Sequence, residues 1–234
     1  MNMNVKIFAD GAKKDEIFEM NKRPYISGFT TNPTLMKKAG IKDYKAFSLD
    51  ILSQIKKKPI SFEVFSDDFD VMEKQALEIS SWGKNVYVKI PITNTKGVSS
   101  KQLIKKLSEK KVKLNVTAIM TSKQVEEIMP SLKESHGAFI SIFAGRIADA
   151  GIDPLNTMVD SLKLLEQNNN LEMIWASPRE LYNVVQANEI GCHVITATSD
   201  ILNKLPTLGK DLNEFSLETV KMFYQDALEA GYKI

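Results

Sequence analysis

The sequence predicts a single (β/α)8 barrel of the TIM type, α/β in class, with one additional helix at the carboxyl end. Short apolar, β-branched runs alternate with longer amphipathic stretches from one end of the chain to the other. Eight such runs fit into 234 residues, a length at which barrels of this kind form one unit of roughly 200–250 residues. No Pro/Gly/Ser-rich linker and no shift in composition divides the chain. Residues 1–234 therefore read as one domain, and as a barrel more than as an open doubly wound sheet.

The strands expected in order are Val5–Ala9, Tyr25–Thr30, Ile60–Phe65, Val86–Ile90, Lys113–Thr117, Ala138–Phe143, Glu172–Ala176 and His193–Thr196. Between them apolar residues recur at three- and four-residue spacing over Tyr44–Lys57, Val71–Trp82, Ser100–Lys110, Thr121–Leu132, Pro154–Asn168 and Pro178–Asn188, which predicts helices. Asp153 before Pro154 and Ser177 before Pro178 read as caps followed by proline at the first helical position. Gly191 reads as a helix stop. Phe215–Tyr232 reads as an extra amphipathic helix after the eighth unit, placed to pack on its own chain, cover a barrel edge or reach a neighbouring subunit.

Composition narrows the function. With 43% hydrophobic and 26% charged residues the chain can bury a core. Lys+Arg 31 against Asp+Glu 29 leaves a net charge of +2, so nothing global attracts nucleic acid or an anionic membrane. An anionic ligand must be small and held locally. One cysteine, Cys192, precludes an internal disulfide and a cysteine-based metal cluster, and two histidines without an HExxH pair argue against a histidine metal site. The first residues, MNMNVKIFADGAKKDEIF, lack an apolar signal core, and no run approaches the ~18 apolar residues of a membrane span. A cytoplasmic location, no metal and no cofactor are the expectations.

Active sites of such barrels form at the carboxyl ends of the strands. The polar residues there are Asp10, Thr31, Asn32, Glu63, Lys89, Asn115, Thr117, Ser141, Arg146, Ser177 and Arg179. Lys89 interrupts the apolar run Val86-Tyr87-Val88-Lys89-Ile90-Pro91. A lysine facing inward from such a strand is costly to desolvate, and a neutral amine in that position attacks carbonyls to form a Schiff base. The plainer alternative is a lysine that buries its stem and sends its charge to solvent.

Cleavage of a carbon–carbon bond beside an imine also needs a carboxylate to move a proton, and Asp10 ends the first strand. A turn cap before Gly11 is its ordinary alternative. Glu63, flanked by Phe62 and Val64, is a second acid, and pairing with a lysine is its structural alternative. Arg146 and Arg179 at adjacent strand ends suit a sugar phosphate, or else surface ion pairs. His136, Trp82, Trp175 and Cys192 read as packing or loop residues, and Lys56-Lys57-Lys58 as a solvated helix end.

Several ordered motifs resemble the transaldolases, in particular the short branch that includes fructose-6-phosphate aldolase. Gly28-Phe29-Thr30-Thr31-Asn32-Pro33-Thr34 is similar to a GVTTNPS segment, Val88-Lys89-Ile90-Pro91-Ile92-Thr93 to VKIPxT, and Asn115-Val116-Thr117-Ala118-Ile119 to NxTxI. Ser141-Ile142-Phe143-Ala144-Gly145-Arg146-Ile147 resembles ISPFVGR, with Ile142 where proline is usual. The resemblance implies a (β/α)8 barrel with Lys89 as Schiff-base lysine on strand four and Asp10 as acid/base at the substrate hydroxyl. It implies Glu63 and Thr117 as holders of a catalytic water, and Asn32, Asn115 and Ser141 as ligands of a dihydroxyacetone fragment. Thr31 joins the implied substrate contacts, and Arg146, Arg179 and Ser177 would hold the phosphate.

Glu63 stands where the branch's aldolases carry glutamine, and Phe143 where they carry tyrosine. Both favour transfer of dihydroxyacetone between sugar phosphates over its release. The alternatives are an aldolase of the fructose-6-phosphate type and a non-catalytic sugar-phosphate-binding barrel. The expected partners are sugar-phosphate substrates and further copies of the chain in a homo-oligomer.

Overall fold

The computed structural model describes residues 3–166 and 168–234. The strands are β1 (Lys6–Asp10), β2 (Ile26–Thr30), β3 (Ile60–Glu63), β4 (Val86–Pro91), β5 (Leu114–Ile119), β6 (Ala138–Ile142), β7 (Leu171–Trp175) and β8 (Val194–Thr198). All pair in parallel and in chain order, and β8 closes on β1. The expected eight-stranded barrel is therefore the fold, each strand within one or two residues of its predicted limits.

Eleven α-helices appear among the described residues: α1 (Lys14–Lys22), α2 (Pro33–Lys38), α3 (Tyr44–Gln54), α4 (Phe69–Ser81), α5 (Lys101–Glu109), α6 (Ser122–Ile128), α7 (Ala144–Asp149), α8 (Leu155–Leu165), α9 (Tyr182–Glu189), α10 (Ser199–Leu202) and α11 (Leu212–Ala230). Three predicted helices need correction. The one expected over Thr121–Leu132 splits at Pro130, whose missing N–H converts its last turn to a 3-10 helix over Met129–Leu132. The one expected from Pro178 starts at Tyr182, because Ser177 turns the chain with φ +60° and the Asn183 side chain accepts the N–H groups of Arg179 and Glu180. At Asp153, the carboxylate accepts the Leu155 N–H at 2.9 Å as a cap should, yet Pro154 precedes the helix instead of opening it. That helix was expected to run to Asn168; Gln167 in its tail lies outside the described residues, as do Met1 and Asn2 of the amino-terminal segment.

Strand alternation divides the inward side chains into two tiers. The lower tier is apolar: Phe8, Phe139, Ile174 and Val194 form one buried cluster, with Tyr87 packed against it. Phe8 meets Phe139 edge to face at 5.5 Å. Its ring also fills the space beside β2, where a Cβ on Gly28 would fall 2.5 Å from it, so glycine is the residue that fits. A second, larger core lies between the strands and the helix ring, and includes Ile51, Ile60, Val88, Ile104, Leu107, Val116 and Met173. Each such side chain contributes about 1.5–3 kcal/mol by leaving water.

The upper tier is polar. Register places Glu63, Lys89 and Asn115 in one row across β3, β4 and β5, and Asp10 level with Thr30 across β1 and β2.

The last helix departs from the pattern. None of the 19 residues of α11 is buried, although it carries Phe215, Leu217, Val220, Met222, Phe223, Tyr224 and Leu228.

Candidate active site at the carboxyl end of the barrel

A cleft of about 480 Å³ opens above the polar tier. Its wall includes Asp10, Asn32, Glu63, Lys89, Thr117, Ser141, Arg146, Ser177 and Arg179. These come from seven of the eight strand ends and the turns that follow them, so the barrel gathers residues far apart in sequence.

Lys89 is 5% exposed and projects inward from the middle of β4. Its Nζ sits 2.9 Å from Glu63 Oε2 and donates to the Thr31 carbonyl at 2.9 Å. The plainer reading of a snorkelling lysine thus fails: the charged end stays inside, where it needs both partners. Glu63 is at once that lysine's ion-pair partner and a wall of the cleft.

Asp10 is half-buried and accepts from the Thr30 hydroxyl at 2.9 Å, with Asn32 Nδ2 at a long 3.5 Å. Burial pushes its carboxyl above the ordinary value of 3.8, against the lowering pull of Lys89 and of the Thr30 hydrogen bond. A carboxyl so poised can accept and return a proton. Gly11 follows, but Asp10 caps no helix; α1 starts four residues on with no side-chain cap.

Asn32 has a local task as well. Its Oδ1 accepts the Leu35 N–H at 2.9 Å, capping α2 with Pro33 in the first turn. This anchors the amide beside Asp10.

Two expected contacts lie elsewhere. The Thr31 side chain points out of the cleft, where its hydroxyl donates to the Ser61 carbonyl, and only its backbone carbonyl serves the site. One position of strand alternation separates it from Thr30, which does line the cleft. Asn115 is fully buried beneath the floor, donating to Ser61 Oγ at 3.0 Å and accepting from Ser141 Oγ at 2.7 Å, so it reaches the cleft only through Ser141. Thr117 lines the cleft, and its Oγ1 is buried without a hydrogen-bond partner.

Thr30 and Thr196 were missed. Their hydroxyls lie 2.6 Å apart and both line the cleft, so Thr196 steadies the hydroxyl that contacts Asp10. The inward alternation from Phe8 and Asp10 through the paired Gly28 and Thr30 was the available signal.

At the rim, Arg146 is exposed, and Arg179 is bound by two hydrogen bonds to Asp149, Nε to Oδ1 at 2.9 Å and Nη2 to Oδ2. The Arg179 guanidinium, helped by the charge of Arg146, holds the Asp149 carboxyl below its usual range, so it stays ionised. The surface ion pair considered for Arg179 therefore exists, and it fixes the guanidinium beside the cleft instead of removing it. Backbone strain concentrates nearby: Ala118 at the β5 irregularity and Ser177 after β7 both have φ near +60° and both line the cleft. Gly145 lies against that turn, and a Cβ there would fall 1.5 Å from the Ser177 carbonyl.

Known proteins resemble this chain over most of its length. The family described as Transaldolase/Fructose-6-phosphate aldolase matches residues 7–234. A probable transaldolase of Thermoanaerobacter sp. (strain X514) is 35% identical over 232 residues, 98% of this chain and 100% of that one. One from Dehalococcoides mccartyi is 34% identical over 202 residues, 86% of this chain and 90% of that one. Among solved structures, a flavocytochrome b2 variant with benzoylformate (TM-score 0.55, 13% identity, 84% of this chain) and a lactate oxidase of Pediococcus acidilactici (0.57, 12%, 83%) share the barrel. This chain spans 56% and 63% of their lengths, and at such identity the likeness concerns the fold alone.

Proposed function

The chain belongs to the transaldolase/fructose-6-phosphate aldolase family, and from that premise we propose that it transfers a dihydroxyacetone unit from a ketose phosphate to an aldose phosphate through a Schiff base on Lys89. One observation carries the reading: a buried lysine, held by a carboxylate and a backbone carbonyl, lies at the wall of a cleft whose rim bears two arginines.

In this mechanism the Lys89 amine attacks the ketose carbonyl, and water leaves as the imine forms. Asp10 takes the proton from the hydroxyl beside the breaking bond, the aldose phosphate departs, and the electron pair remains on the imine as an enamine. Attack of that enamine on a second aldose phosphate reverses these steps. Glu63 and Thr117 hold the water that moves protons at the imine, while Asn32 and Ser141 bind the hydroxyls of the three-carbon fragment. Arg146, Arg179 and Ser177 bind the phosphate. Phe143, at the cleft wall, has no hydroxyl with which to protonate the enamine. That favours transfer over release of free dihydroxyacetone.

Product analysis with a ketose phosphate, with and without an aldose phosphate acceptor, tests the reading. Transfer should depend on the acceptor, with little free dihydroxyacetone in its absence; rapid release without acceptor would assign the aldolase activity instead. Arg146→Ala should raise KM for phosphorylated substrates roughly 30- to 1,000-fold, the equivalent of about 2–4 kcal/mol for a lost charged contact, and leave non-phosphorylated ones nearly unchanged. Equal effects on both substrate types would give Arg146 another role.

The same reading includes assembly. A helix with this much uncovered apolar surface calls for a partner surface, and a second copy of the chain would supply it to α11. Light scattering should give a molar mass of several chains, reduced to that of one by Val220→Glu with Phe223→Glu.

A further inference from the structure

In a closed parallel barrel the backbone groups of each strand are taken up by a neighbour on either side. The seam between β2 and β3 ends early. Only Phe29–Ile60 and Thr30–Ser61 are paired, and the last ladder bond runs from the Thr31 N–H to the Ser61 carbonyl at 3.1 Å. The next two bonds of a regular ladder would join the Glu63 N–H to the Thr31 carbonyl, and a residue-33 N–H to the Glu63 carbonyl. Residue 33 is proline, with no N–H to give.

One side chain resolves this. The Tyr44 hydroxyl, from the first turn of α3, donates to the Glu63 carbonyl at 2.8 Å and accepts the Glu63 N–H at 2.8 Å. Both groups that Glu63 turns toward β2 are satisfied by a single oxygen. The Thr31 carbonyl, left without a ladder partner, takes the Lys89 ammonium at 2.9 Å. The Tyr44 ring is held independently, by Phe65, Trp82 and Phe62 with centroids 5.4, 6.0 and 6.5 Å away. Burial raises its hydroxyl well above the usual tyrosine range, so it stays protonated and able to donate.

We propose that Tyr44 is a positioning residue, whose hydroxyl substitutes for a strand at the open end of the β2–β3 seam, fixes Glu63 against Lys89 and keeps the Thr31 carbonyl for the lysine. Without the hydroxyl, the Glu63 N–H turns to the Thr31 carbonyl, and Lys89 loses one of its two partners. The inference rests on the Schiff-base reading only for its kinetic consequence.

Tyr44→Phe keeps the ring in its aromatic seat, so the protein is expected to fold. Two rates are then compared with the unmutated protein. The first is reductive methylation of Lys89 by formaldehyde and cyanoborohydride, followed by mass spectrometry; it needs no natural substrate. It should rise at least about threefold as the lysine is released, with the other lysines unchanged. The second is turnover of a ketose phosphate with an aldose phosphate acceptor, where kcat should fall at least about tenfold with KM within about twofold, a split that loss of stability alone does not produce. A 3-fluorotyrosine at position 44, which retains the hydroxyl, should restore both rates. Methylation of Lys89 at the unmutated rate, or an unchanged kcat, overturns the proposal. If the unmutated protein shows no turnover, the transaldolase reading fails, while the methylation rates still decide the role of Tyr44.

Discussion

Lys89→Ala and Lys89→Arg are each expected to reduce carbon–carbon bond transfer at least about 10³-fold, to background, because neither side chain forms an imine. The two variants fail for different physical reasons, which makes the pair informative. Alanine leaves Glu63 and the Thr31 carbonyl without their shared donor, and a deserted buried carboxylate costs about 1–3 kcal/mol or more of stability. Arginine keeps the charge and offers both groups a donor, so its melting temperature should lie closer to that of the unmutated protein. Borohydride reduction in the presence of a ketose phosphate, read by mass spectrometry, should leave an adduct on Lys89 in the unmutated protein and none in either variant. More than a trace of bond cleavage in either one sinks the covalent mechanism.

Asp10→Asn should lower turnover by roughly 10²–10⁴-fold, the range of general acid–base catalysis, yet make the protein more stable at neutral pH. The sign follows from burial. Because folding raises the carboxyl of Asp10, the unfolded chain releases its proton first, and the ionised group weighs against the folded state once pH exceeds the folded value. Asparagine removes that penalty and retains an oxygen for the Thr30 hydroxyl. The gain should be on the order of 1 kcal/mol at pH 7, shrink as pH falls through the raised value, and vanish below the ordinary 3.8. Thermal melts of both proteins from pH 3 to pH 8 measure it. Parallel curves across that range would show that Asp10 bears no desolvation penalty.

The strands were legible because a buried parallel strand is an apolar run, and eight of them survive without any knowledge of contacts. The helices of four to six residues, α2, α7 and α10, were not, since less than two turns shows no periodicity, and the nine-residue α1, with only Ile17 and Met20 buried, went unread as well. Asn32-Pro33 carries the same cap-and-proline signal as Asp153-Pro154, on an asparagine whose type and place also suit a ligand. Ser177-Pro178 carried that signal too and misled, because the serine occupies a left-handed turn that only packing against Gly145 makes intelligible.

In the site, the types of residue marked Lys89, Glu63 and Asp10, but depth did not appear in the string: Asn115 and Ser141 both face inward, and only the stagger of the barrel tells which lies beneath the other. Tyr44 was invisible for a further reason. Its partners are the backbone atoms of a residue nineteen positions away, and no side-chain pattern records them.

The two tiers of the barrel interior have a consequence for how this protein can change. Phe8, Phe139, Ile174, Val194 and Tyr87 plug the lower half, and Ala176 and Phe143 of the same cluster carry it up to the cleft wall. Volume-conserving variation in the plug is expected to act chiefly on stability, whereas the proposed chemistry rests on polar groups of the upper half. Laboratory evolution can therefore treat the lower half as a reserve: volume-conserving repacking of that plug first, to widen the margin against unfolding, and randomisation of the rim second, to change which substrate is accepted.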